Sequence, residues 1–127
     1  MASQSARRIN AFIDLSAKCT SSATELIGTP KDRPVVISES LFELFLIETT
    51  FKSISLVYTP ENLPVRLRQL LESDGEAEAC RMALEDLVDL LNPGLRGKRG
   101  FDDLHSPLQT VANFQNALAN AIRRPEG

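Results

Sequence analysis

Histidine is nearly absent: the 127 residues hold one, together with two cysteines, one tyrosine and no tryptophan. One histidine and two widely spaced cysteines without a CxxC pair cannot furnish the usual zinc ligand sets, so neither a metal nor any other cofactor is expected. A basic excess is missing too. Net charge is -3, divided between residues 59–92, with eight acids against three bases, and the two flanks 1–34 and 93–127, each with five bases against three acids. No segment is basic enough to read as a nucleic-acid footprint. Long uninterrupted apolar runs are also lacking. The most apolar stretch, residues 37–58, is broken by Glu39, Glu43, Glu48 and Lys52, whereas a membrane span needs about twenty predominantly apolar residues. The opening MASQSARRINAFIDL has no continuous apolar segment of the secretory kind, so a cytoplasmic location is expected.

What is present is helical periodicity. A hydrophobic content of 43% over 127 residues suits one soluble domain spanning residues 1–127. Ile9, Phe12, Ile13, Ser16, Cys19, Ala23, Leu26 and Ile27 recur in steps of three and four, predicting a helix over 4–27 that Gly28 stops. Pro30 and Pro34 bracket a charged connection. Residues 37–58 read as a central helix, with Ser40 and Glu43 as a capping box, and with so many apolar positions that burial on more than one side is expected. Asn62 and Pro64 announce a short helix containing Val65, Leu67, Leu70 and Leu71, which SDGE at 73–76 breaks. Ala77, Cys80, Leu84, Leu87 and Leu91 form the most regular stripe, ending at NPG. Ser106 and Pro107 then start a last helix bearing Leu108, Val111, Ala112, Gln115, Leu118, Ala119 and Ile122. The fold class expected is all-α, a compact up-down bundle of four to five helices. Its core comprises Phe12, Leu41, Leu44, Phe45, Phe51, Leu70, Cys80, Leu84, Leu87, Leu91, Leu108, Val111, Leu118 and Ile122.

The stretch NPGLRGKRGFDDLHSP, residues 92–107, combines glycines, cations, two aspartates and the histidine. A phosphate-binding loop needs a glycine-lysine-serine or threonine ending after a strand, and neither is here. The simpler reading is a helix stop followed by a connection. Asp102 or Asp103 with His105 suggests an acid/base pair, but the position just before a helix start favours loop and capping roles. No nucleophile accompanies them, since both cysteines fall on apolar stripes and read as free, buried residues. Glu39, Glu43 and Glu48 read as exposed residues along a polar seam rather than as metal ligands. Phe42, Phe45, Phe51 and Phe114 could line a ligand pocket, although core packing is the plainer role for four aromatics. No catalytic constellation emerges, and the chain does not read as an enzyme. Two patches of opposite sign do emerge: Glu78, Glu85, Asp86 and Asp89 along one helix, and Arg96, Lys98 and Arg99 just after it. They are candidates for head-to-tail self-association.

From Leu41 to Leu91 the chain runs through a long apolar helix, the leucine-rich LRQLLES and then ACRMALEDLVDLL. This resembles the N-terminal helical domains of fungal STAND (NLR-like) and ankyrin proteins, the HeLo-like and SesA-like group that includes the azaphilone pigment cluster protein L N-terminal type. Cys80, Leu84, Leu87 and Leu91 occupy that group's cysteine-then-leucine pattern, and INAFIDLSAK is similar to its opening. The resemblance implies a non-catalytic bundle that acts by interaction, as the signalling end of a larger receptor in innate immunity or programmed cell death, or as a stand-alone relative. Some members insert an N-terminal hydrophobic helix into membranes; here residues 4–27 carry Arg7, Arg8, Asp14, Lys18 and Glu25 and are amphipathic at most.

The expectation is therefore a protein-interaction or oligomerisation module whose partner is a protein, with a second copy of itself a candidate. The alternative is a peripheral membrane or lipid-binding domain using Arg7, Arg8 and the 96–99 segment.

Overall fold

A computed structural model describes residues 4–27, 34–59, 61–92 and 104–123, the side chains of 27 and 34–37 excepted. Five helices follow in order: α1 (Gln4–Ile27), α2 (Pro34–Val57), α3 (Val65–Leu71), α4 (Glu76–Leu91) and α5 (His105–Arg123), with no strand among the described residues. The protein is an all-α helical bundle.

Helix directions follow from who meets whom. Arg8, near the start of α1, bonds to Ser73 and Asp74 just ahead of α4, and Cys19 further along meets the Leu84 carbonyl further along, so α1 and α4 run parallel. Ser5, Ala6 and Ile9 of α1 share a cleft with Ile54, Ser55 and Tyr58, which makes α2 antiparallel to α1. The long helices pack as a ring in which α1 touches α2 and α4, and α5 touches the same two. The short α3 packs on α1, α4 and α5, closing one end.

At the centre of the ring the Phe12 ring lies 5.1 Å from that of Phe51 and 5.7 Å, edge-on, from that of Phe114, joining α1, α2 and α5. Around them Leu44, Ile47, Ile54, Leu67, Leu71, Cys80, Leu84, Leu87, Leu91, Val111 and Leu118 are buried, and Leu41, Leu70 and Ile122 pack on the margin. Leu104 and Leu108 close the core at the start of α5.

The described residues of the stripes expected on α1 and α4 are buried except Ile13, which is half-buried, and α1 buries Ser5 and Thr20 besides. Elsewhere the structure departs from the sequence reading. The central helix starts at Pro34, a residue suited by its fixed φ to a first turn, so Ser40 is a buried mid-helix residue and caps nothing. Nor is α2 buried on several sides. It touches α1 and α5 through the side bearing Leu44, Ile47, Phe51 and Ile54, while Phe45, expected in the core, sits one residue round from Leu44 and is 49% exposed. Asn62 does not cap α3. Its Oδ1 accepts the Thr59 amide at 2.6 Å within a turn, and Pro64 occupies the cap position. In α5 the buried side is centred on Pro107, Val111, Phe114, Leu118 and Ala121, turned slightly from the expected stripe. Gly28 and residues 93–103 lie outside the described residues.

Candidate functional site

Helix α4 turns its apolar stripe inward and leaves its carboxylates outside. Glu85, Asp86 and Asp89 are exposed and Glu78 is half-buried. The face is less acidic than its sequence, because Arg81 stands between two of the four. Its Nε donates to Glu78 Oε1 at 2.8 Å, with a second short contact from Nη2, and its Nη1 lies 2.7 Å from Glu85 Oε2. The hydrogen bond from Arg81 holds the Glu78 carboxyl below the ordinary carboxylate range, and the reciprocal bond raises the guanidinium. The structure thus brings Glu78 and Glu85 together on one cation. Arg96, Lys98 and Arg99, the proposed complement, lie outside the described residues.

The chemistry-bearing groups are dispersed. His105 is exposed on the first residue of α5, and Asp102 and Asp103 lie outside the described residues. Cys19 and Cys80 are free and buried, and loss of solvation pushes both thiols up to about 12. Such a thiol holds its proton and is a poor nucleophile at neutral pH. No group of three or more His, Cys, Asp or Glu among the described residues could hold a metal ion. Glu39 and Glu43 are exposed as expected, but Glu48 is not: it is tucked beside the core and paired with Lys52 at 2.7 Å.

Two cationic residues singled out at the N-terminus have different fates. Arg7 is exposed, whereas Arg8 is largely covered and donates to the Ser73 carbonyl at 2.7 Å, to the Leu71 carbonyl at 3.4 Å and to Asp74 Oδ1 at 3.2 Å. Arg8 is a tie between α1 and the end of α3. No helix among the described residues is long and apolar enough to cross a membrane.

The four phenylalanines considered for a ligand pocket separate into two pairs. Phe51 and Phe114 join the core stack, and Phe42 and Phe45 face outward. A cleft of about 200 Å³ does open at the α3 end, with Ser5, Asn10, Ser55 and Thr59 around Ile9, Ile54 and Leu63. Among the described residues its lining carries no charged group.

The surface that sequence reasoning missed is the outer side of α2. Phe42 is 66% exposed, Phe45 49%, Leu46 52%, Leu56 85% and Val57 65%. With exposed Thr49 and Ser53 between them, these residues form one uncharged strip along the helix at steps of three and four. Taking about 200 Å² for a large side chain, the strip exposes roughly 600 Å² of apolar area, at the upper end for a monomer's largest patch. One signal was legible: between Glu43 and Val57 this outer side contains no charge, although Lys52 borders it. Comparison of the chain with protein-family models, with curated proteins and with solved structures returns no match.

Proposed function

We propose that this chain is a non-catalytic helical interaction module that self-associates, and that it serves as the signalling domain of a fungal NLR-like protein in innate immunity or programmed cell death. One observation carries the interaction reading: five large apolar side chains of α2 face solvent on a helix whose other side fills the core. Exposing them has a hydration cost on the order of 25 cal/mol per Å², which a partner surface would recover. The receptor context draws on the resemblance of INAFIDLSAK and ACRMALEDLVDLL to that group.

The lipid-surface reading has thinner support, since Arg8 is engaged with Leu71, Ser73 and Asp74. The deciding experiment is light scattering behind a sizing column over a protein concentration series at low and high salt. Concentration-dependent dimers or larger species are expected. A monomer at every concentration would remove self-association.

A further inference from the structure

The strip on α2 is complementary to itself. Its first part is bulky, Phe42, Phe45 and Leu46; its last part is bulky, Leu56 and Val57; and the waist between them is the small polar pair Thr49 and Ser53. On a helix of 3.6 residues per turn, Phe45, Lys52 and Leu56 fall on one flank of the strip and Leu46 and Val57 on the other.

Resting on the self-association reading, we propose that α2 packs antiparallel on α2 of a second copy, about a two-fold axis at the level of Phe51. A two-fold axis lying across the helices brings each flank against the same flank of the other copy. Phe45 then meets Leu56, Leu46 meets Val57, and the two waists lie over one another, where small side chains permit close approach of the helices. The same operation sets Lys52 level with Glu48 of the second copy. The ion pair now made within each chain, at 2.7 Å, becomes a four-charge cluster with alternating signs.

Area and charge both favour this occupant. Roughly 600 Å² of apolar surface, plus Thr49, Ser53 and Lys52 at the contact, approaches the about 800 Å² per partner of a standard interface. An anionic lipid surface suits the strip less well, because α2 carries Glu39, Glu43 and Glu48 against Lys52 alone.

The test uses the full chain. Leu56→Glu and Thr49→Lys both change solvent-facing residues, so the monomer's melting temperature should be preserved. Each should weaken dimerisation on the order of 100-fold, and the wild-type dimer should persist at high salt because its contact is apolar. Thr49→Lys and Ser53→Glu, each monomeric alone, should form a heterodimer when mixed, because the axis places those positions together. If both single variants dimerise as tightly as wild type, the α2 pairing is overturned while self-association stands. A wild type monomeric at every concentration overturns both. So does a monomer that sediments with phosphatidylcholine or phosphatidylserine vesicles and loses that binding on Leu56→Glu, which would identify lipid as the occupant.

Discussion

Cys19 and Thr20 are adjacent on α1 and both buried, yet they are treated differently by their surroundings. The thiol donates to the Leu84 carbonyl at 3.6 Å, whereas the Thr20 hydroxyl has no hydrogen-bond partner among the described residues. A buried hydroxyl without a partner carries its desolvation cost uncompensated. Thr20→Val, which keeps the shape and removes the hydroxyl, should therefore stabilise the fold by about 1 kcal/mol in a urea titration. The thiols make a second prediction. Burial raises Cys19 and Cys80 from 9.0 to about 12, so above pH 9 the unfolded chain releases protons that the folded chain retains. Their contribution is complete below pH 9 and is lost as pH rises from there toward 12. Melting temperature should fall across that window, and fall less steeply in the Cys19→Ala/Cys80→Ala double variant. Equal slopes would show that other groups control the alkaline limit.

Among the elements, α3 depends most on help from outside. Seven residues are too few for a stable isolated helix, and its cap position is Pro64, without a side-chain hydrogen bond. Buried Leu67 and Leu71 fix it from beneath, and Arg8 holds its C-terminal end through the Leu71 and Ser73 carbonyls. Arg8→Ala should cost about 1–3 kcal/mol, the range for a charged donor to part-buried carbonyls. Asp74→Ala should change stability by less than about 1 kcal/mol, because Asp74 is 92% exposed. Equal effects from the two substitutions, read from chemical denaturation, would mean that the ion pair rather than the carbonyl bonds is what matters.

The same contrast explains what the sequence could convey. In α1 and α4 the polar residues alternate with a narrow apolar stripe, and that stripe is the buried one. In α2 apolar residues occur all round, so periodicity could not separate Leu44, which is buried, from Phe45, which is not. Glu48 misled in the opposite direction: a carboxylate among apolar residues reads as exposed, but Lys52 one turn later provides the partner that lets it sit against the core. Of the candidate surfaces, the α4 carboxylates were visible as a charge pattern, while the part played by Arg81 required its reach to Glu78 as well as Glu85. The α2 strip became visible only once the core had been assigned to the other side of the helix.

For the whole molecule, cohesion converges on Phe12, which is fully buried and meets rings from two other helices. Phe12→Ala removes a side chain at a point where α1, α2 and α5 all contribute walls, so the cavity cannot close by moving one of them. A loss of about 3–5 kcal/mol is expected. That is a large fraction of the stability of a domain this size, and a drop in melting temperature of more than about 10 °C should accompany it. A drop of only a few degrees would show that the ring stack is peripheral to the core.

Around the ring α1 lies parallel to its neighbour α4 and antiparallel to its neighbour α2, and α3 packs on both α1 and α5 at one end. Helix α1 therefore begins, and α2 finishes, at the end that α3 occupies. Cargo attached ahead of Gln4 thus projects beside α3 and leaves the middle of the α2 strip clear.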